Sequence, residues 1–506
     1  MSSQISGNKT IAKNSIYLYL RMFLLMLVSL YTVRVVLDTL GVEDYGIYSA
    51  IGGLVVTFSF LSQVLSNASQ RFFAVDIGNN DQEGLNSSFS AIIISYIIIT
   101  IVIIILLETV GTWFVLNKMT IPENRIDVAL LLYHFSILTF AVTILTNPFN
   151  ALIIAHENMK TFAYISIVEG LLKLLVAFRL VYFSADKLKL YAILLFLVSG
   201  IIFITYFVIS KIYYKEIKFN FRYGLVKVKE VFGYSSWTLF GTIAGVVNGQ
   251  GINIMLNIFV GPIANAAYAI GNKVSGVVNQ LSNSFFSAVR PPLMKSYASG
   301  EKEKMNELFY FSNKILFILM SLVILPLYLE VEFILNLWLG TVEPYMVTFT
   351  RLLLVYVAVL CLSNPITTIV QAAGEVKKYH GIVDSFTLLS LPISFIAYKR
   401  GMRPEGAFII TLLIFVIAHI LRLYILKKVM KFSISRYIIR FIIPAFLVVA
   451  VSLIGVYYIR MLIENDVLKL CVTIIVSSLL TIIASLFLIM SSQERSQIFN
   501  KVKSFV

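Results

Sequence analysis

The chain has 506 residues, 59% hydrophobic and 13% charged, with a formal net charge of +15 and a mean hydropathy of +0.88. Soluble domains carry about 25% charged residues, so this composition excludes a soluble globular protein. The positive charge does not require nucleic acid, because Lys and Arg gathered in the cytoplasmic loops of a membrane protein give the same excess.

A helix needs about 20 apolar residues to cross a hydrocarbon layer about 30 Å thick. In chain order, 14 stretches meet that need: 15–37, 46–73, 88–110, 127–154, 162–183, 189–210, 234–259, 264–290, 308–330, 346–373, 380–398, 405–426, 437–459 and 467–490. Pro392 interrupts the eleventh. The first run is too long for the apolar core of a signal peptide, and no small-residue cleavage site follows it. The expected fold class is all-α integral membrane.

The loops are short. Lys211, Lys215, Lys218, Arg222, Lys227 and Lys229 crowd one, and Lys427, Lys428, Lys431, Arg436 and Arg440 another. Asp38, Glu43 and Asp44, then Glu330, Glu332 and Glu343, mark the opposite side; Lys399, Arg400 and Arg403 break the pattern. The bias predicts both termini in the cytoplasm, in keeping with an even number of spans. Cys361 and Cys471 fall in different spans, so no structural disulfide is expected.

The second half of the chain begins like the first. Ser15, Gly41, Tyr48 and Leu61-Ser62 return at the same spacing as Ser235, Gly261, Tyr268 and Leu281-Ser282. Leu145-Thr146-Asn147-Pro148 returns as Leu362-Ser363-Asn364-Pro365. Six spans per half place both halves in the same orientation, related by an axis along the membrane normal. The expected division is an N-terminal lobe 1–212, a cytoplasmic linker 213–231, a C-terminal lobe 232–430, and an appended helix pair 431–506. Pro148 and Pro365 should break equivalent helices, Pro291-Pro292 should end the eighth span, and Pro326 should interrupt the ninth.

Polar side chains line three spans at helical spacing. Ser59, Gln63, Ser66 and Gln70 share one face, as do Asn272, Ser275, Asn279 and Asn283, and Gln250, Asn253 and Asn257. In hydrocarbon such groups must face protein or water. One reading is hydrogen bonding between helices. The other is a wet cavity, whose amides and hydroxyls suit sugar hydroxyls. Charges sharpen the second reading. Lys273 lies near mid-depth in the eighth span, and Glu169 precedes Lys173 by one turn in the fifth. Arg34, Arg71 and Arg290 lie nearer span ends, where snorkelling is the alternative. A cation in a wet intramembrane cavity attracts an anionic headgroup such as a diphosphate.

No Walker A, H-E-x-x-H or paired Cys-x-x-Cys motif occurs, and no loop is large enough for a catalytic domain. His134, His156, His380 and His419 are scattered and read as structural or interfacial. No cofactor or metal is expected, and no enzymatic activity.

The chain resembles the polysaccharide-specific (Wzx-type, O-antigen or capsule unit) flippases of the MOP superfamily, which also holds MATE exporters and the lipid II flippase. The resemblance rests on Asn14–Asp38 leading into Leu40-Gly41-Val42-Glu43-Asp44-Tyr45-Gly46-Ile47-Tyr48, and on Asn147-Pro148-Phe149-Asn150 running to Ala155-His156-Glu157. Leu337-Trp338-Leu339-Gly340 and Gln371-Ala372-Ala373-Gly374-Glu375 add to it. It implies a V-shaped, MATE-like fold of two pseudo-symmetric six-helix lobes plus two C-terminal helices, in the bacterial inner membrane. It implies an undecaprenyl-diphosphate-linked oligosaccharide as cargo, membrane lipid as surroundings, and polysaccharide polymerase or assembly proteins as partners. Lys273, Arg34, Arg71 and Arg290 would then hold the diphosphate. A cation-coupled MATE-type drug exporter calls for cavity carboxylates; the sequence offers Glu169 and Asp384 but none deep in the first or seventh span. An integral-membrane glycosyltransferase or polymerase calls for a large outer loop or a soluble domain with acidic catalytic residues, and the chain has neither.

Overall fold

The computed structural model describes residues 2–156, 158–183, 186–214, 218–298, 302–373, 375–430, 432–492 and 494–496. The described residues form helices joined by short turns, with no strand among them. In lipid every backbone N–H and C=O must be satisfied within the segment, and a helix does this without a partner.

The helices fall into two compact units, Met1–Ala266 and Ala267–Val506. The first begins with α1 (Ser2–Leu40), α2 (Val42–Val56) and α3 (Ser59–Gly78). Then come α4 (Gln82–Leu106), which continues through a π-turn, Leu107–Gly111, into α5 (Thr112–Lys118), and α6 (Ile126–Ala155). It closes with α7 (Met159–Val181), α8 (Lys187–Tyr213), α9 (Phe221–Phe259) and the first residues of α10 (Pro262–Ala298). The second unit takes the rest of α10, then α11 (Lys302–Leu329), α12 (Val331–Leu339), α13 (Met346–Cys361) and α14 (Asn364–Ala372). Next are α15 (Val376–Tyr379), a π-turn His380–Asp384, α16 (Ser385–Leu388), α17 (Ser390–Lys399) and α18 (Gly406–Met430). Last come α19 (Ile434–Tyr437), a π-turn Ile438–Ile442, α20 (Ile443–Arg460) and α21 (Asp466–Leu488).

Among the described residues, 11 helices are long and apolar enough to cross a membrane, or 12 if α2 and α3, bent by 47°, form one span. The expected count of 14 is not reached on this measure. The remaining long helices are α9 and α10, of 39 and 37 residues. Polar side chains hold them back: Lys227, Lys229, Glu230, Gln250, Asn253 and Asn257 on α9, and Asn265, Asn272, Lys273, Asn279, Asn283 and Arg290 on α10.

Three of the proline expectations change. Pro148 and Pro326 lie inside continuous helices, and α10 runs through Pro291-Pro292 to Ala298. Pro365 sits at a break, in the first turn of α14, where its missing N–H costs no helical bond, and Pro392 lies likewise in the first turn of α17 after the break at Leu389. The stretch expected as a linker is tied down at its end. The backbone N–H groups of Lys218 and Asn220 donate to Asn86 Oδ1 and Ser90 Oγ on α4, each at 2.8 Å. α9 then begins at Phe221 and packs along α4.

The internal repeat survives in the packing. Gly41 and Gly261 turn the chain at φ +79° and +107°, a region that L side chains avoid. About two helix turns beyond each, Tyr48 meets Tyr191 at 5.1 Å between ring centroids, and Tyr268 meets Phe408 at 5.6 Å. Tyr191 and Phe408 stand near the starts of α8 and α18. Pairwise, α6 packs on α8 in the first unit as α13 packs on α18 in the second.

Candidate functional site

Exposure carries chemical meaning in a membrane protein. Exposed apolar side chains face lipid, whereas exposed polar ones need water. On α4, Ile97, Ile98, Ile101, Val102 and Ile105 are exposed, which is a lipid-facing stripe. α10 differs. Asn272, Gly276, Gln280, Asn283 and Arg290 are exposed, and Lys273 and Asn279 are half-buried beside them. Ile270, Val278, Ser282, Phe286 and Leu293 bury the adjacent face. Along the described part of 272–290, Leu281 is the one large apolar side chain exposed. Arg290 Nη2 donates to Gln371 Oε1 on α14 at 2.9 Å, which fixes the cation at the C-terminal end of the stripe. The structure therefore gathers Lys273, Asn279, Asn283 and Arg290 on one polar helix surface of the second unit.

In the first unit the residues are more dispersed. Arg34 on α1 and Arg71 on α3 are exposed. Ser59, Ser66 and Gln70 are half-buried, and Gln70 Nε2 donates to Ser66 Oγ at 3.3 Å. The Gln63 side chain lies outside the described residues. On α7, Tyr164, Val168, Leu171, Leu175 and Phe178 form a lipid-facing stripe. Glu169 and Lys173 stand on the other side, paired at 2.6 Å, with 37% and 48% of their side-chain surface exposed.

Asn253 and Asn257 are buried and meet a residue that the stripes did not include. Asn265 Nδ2 donates to Asn253 Oδ1 at 2.7 Å, and Asn257 Nδ2 donates to Asn265 Oδ1 at 3.1 Å. Asn253 Nδ2 donates to the Ser49 carbonyl on α2 at 3.0 Å, and Asn257 Oδ1 accepts from the Thr120 N–H at 2.9 Å. The cluster joins the C-terminal end of α9 to α2 and to the chain after α5. A lone amide in the run Ile263-Ala264-Asn265-Ala266-Ala267 was the available signal. A second missed group is Asp76 on α3, whose Oδ2 accepts from Ser88 Oγ at 2.5 Å while Lys227 Nζ donates to the same Ser88 oxygen at 2.9 Å.

Outside the spans, burial pushes the Asp186 carboxyl up, but the Lys189 N–H and Arg125 pull it further down, to below the usual carboxylate range. Arg125 bridges Asp186 at 2.6 Å and also binds Asp44. Among the described residues no three His, Cys, Asp or Glu side chains come together as metal ligands.

Comparison with known proteins places this architecture. The fold is similar to the inward-closed structure of the lipid II flippase MurJ, with a TM-score of 0.70 at 15% identity, covering 94% of this chain and 98% of that one. It is also similar to an inward-facing multidrug-resistance MATE family transporter of the MOP superfamily, with a TM-score of 0.66 at 13% identity over 82% of this chain and 99% of that one. At such identities the likeness establishes the fold. A curated relative, the uncharacterized membrane protein EpsK of Bacillus subtilis (strain 168), is 25% identical over 338 residues, or 65% of this chain and 64% of the relative, just under two thirds of its length. The family model described as "Polysaccharide biosynthesis protein" matches residues 11–298, more than half of the 506. The chain is a multi-pass membrane protein with a MATE- and MurJ-like fold, and it belongs to the polysaccharide biosynthesis protein family.

Proposed function

We propose that this protein is a flippase that moves an undecaprenyl-diphosphate-linked oligosaccharide from the inner to the outer leaflet of the bacterial cytoplasmic membrane, for surface polysaccharide synthesis. The observation that carries the reading is the polar, cationic face of α10, where Asn272, Gln280, Asn283 and Arg290 are exposed and Leu281 is the one large apolar side chain exposed along the described part of 272–290. Such a face needs water, and its donors suit a phosphate and sugar hydroxyls better than a hydrophobic drug. Membership in the polysaccharide biosynthesis family supports a glycan precursor as cargo, and similarity to the fold of a lipid II flippase supports a lipid-linked one.

In this proposal Lys273, Arg34, Arg71 and Arg290 hold the diphosphate. Lys173 and Glu169 extend the charged lining, and Gln63, Asn279 and Asn283 bind the glycan. Asn253 and Asn257, buried as they are, hold the outer end of α9. The duplicated lobes 1–212 and 232–430 alternate access, both termini lie in the cytoplasm, and polymerase or assembly proteins receive the product.

Lys273 provides the test. Proteoliposomes bearing the purified protein should translocate an isotopically labelled undecaprenyl-diphosphate sugar. Lys273→Ala should abolish that transport at normal protein abundance, and Lys273→Arg should keep part of it, because charge survives while geometry shifts. Wild-type transport by Lys273→Ala overturns the diphosphate role. Drug efflux without sugar transport by the wild-type protein supports the MATE-type exporter instead.

A further inference from the structure

The second unit contains a buried arginine with no carboxylate partner among the described residues. Arg422 lies on α18, eight residues before its end at Met430 and so about 12 Å along the helix. It is 5% exposed. Its Nε donates to Tyr379 Oη at 3.0 Å, and its guanidinium stands over the Phe415 ring at 5.9 Å. The Tyr379 hydroxyl is 2.7 Å from Thr367 Oγ1, which in turn donates to the Ser363 carbonyl at 3.0 Å. Those bonds run in one direction, from Arg422 outward, so none returns negative charge to the guanidinium. The ion pairs among the described residues do not include Arg422. The π-turn packed on α18 carries Asp384, but that carboxylate pairs with His380 at 2.6 Å.

Arg422 Nη1 is buried and makes no hydrogen bond among the described residues, and His419 Nε2, one turn earlier on the same helix, is in the same position. His419 is 8% exposed, and its Nδ1 lies 3.4 Å from Ser363 Oγ. In the tautomer where Ser363 donates to Nδ1, Nε2 carries the proton and is a donor, and the proposal uses that tautomer. A guanidinium N–H and an imidazole nitrogen, both without partners among the described residues, therefore sit at i and i+3 on one helix face. The nearby core is apolar: Ile366, Ile369, Val383, Ala418, Leu423 and Phe441 are all buried.

We propose that Arg422 and His419 form a binding site for a small monovalent inorganic anion, chloride being the natural occupant. Water could satisfy the two donors but would leave the charge uncompensated in an apolar core. A lipid headgroup is too large for residues this deeply covered. The anion completes the polar joint between α18, α14 and α15, and it is distinct from the diphosphate-binding face of α10.

The test is chloride binding by the full-length protein purified in detergent. Radiolabelled chloride, competed by bromide but not gluconate, should bind at about one ion per chain, and melting temperature should rise by about 2 °C or more as chloride replaces gluconate at constant ionic strength. Arg422→Gln should lose both effects. If Arg422→Gln does not fold, His419→Phe serves, and it should weaken chloride binding about tenfold or more. Absence of chloride binding by the wild-type protein overturns the proposal and leaves water as the occupant. Unchanged chloride affinity in a folded Arg422→Gln or His419→Phe protein also overturns it, since the anion then binds elsewhere.

Discussion

Asn265 and Asn253 meet across the turn between α9 and α10, with Asn265 Nδ2 donating to both the side-chain and the main-chain oxygen of Asn253, at 2.7 and 2.6 Å. The same turn is packed against α2. A β-carbon added to Gly53 would overlap the Asn253 side chain, and one added to Gly46 would overlap the Pro262 carbonyl. Asn265→Leu keeps the bulk and removes the donors and the acceptor, leaving the amides of Asn253 and Asn257 with unmet bonds. We expect a loss of about 1–3 kcal/mol, read as a lower melting temperature in detergent. An unchanged melting temperature shows that water replaces the lost bonds.

Glu330 is 3% exposed and accepts two hydrogen bonds, from Arg460 Nη2 at 3.2 Å and from Thr473 Oγ1 at 2.7 Å, while Arg460 Nε lies in ion-pair contact at 2.8 Å. They tie α20 and α21 to the C-terminal end of α11. Arg460→Met strands the carboxylate, with an expected cost of about 3–5 kcal/mol. The double change Arg460→Met with Glu330→Leu removes both charges and should recover most of that loss. A double variant no more stable than Arg460→Met refutes the role of the stranded charge.

Glu494 joins the chain after α21 to Lys314 on α11 at 2.7 Å. Burial pushes the Glu494 carboxyl up, but Lys314 and the Ser491 N–H outweigh that and hold it below its ordinary 4.5. A depressed carboxyl stabilises the fold at pH values above the unfolded value and loses that contribution as pH falls through the folded one. Glu494→Gln should therefore melt earlier than wild type at pH 7, and the difference should close below pH 4.5. A difference that persists in acid points to packing rather than charge.

Cysteines at Asn272, Asn279 and Asn283 should react with a membrane-impermeant thiol reagent, in a background lacking the free Cys361 and Cys471. Cysteines at Ile98 and Ile101, on the lipid-facing stripe of α4, should react at least about tenfold more slowly, because thiolate does not form in hydrocarbon. Equal rates at the two sets remove the support for a wet face on α10.

Much of the fold is legible in the sequence because the bilayer imposes one rule over the whole length of the chain. A run of about 20 apolar residues has no stable form there except a helix, so composition alone specifies an all-helical membrane protein. The repeat is legible for a similar reason. Gly41 and Gly261 occupy turns that demand positive φ, and spacing between such fixed points outlasts side-chain identity. The pairing of Glu169 with Lys173 also follows from spacing, because one helical turn separates them. Tertiary structure decided which polar residues face water and which are consumed inside the fold. Asn253 and Asn279 occupy similar stripes in the sequence, yet the first is buried by Asn265 and Ser49 while the second stands on the polar face of α10. Helical periodicity gives the angle of a side chain about its own axis. It does not give the neighbour at that angle, which here comes from residues far away in the chain, as with Thr120 for Asn257 and Tyr379 for Arg422.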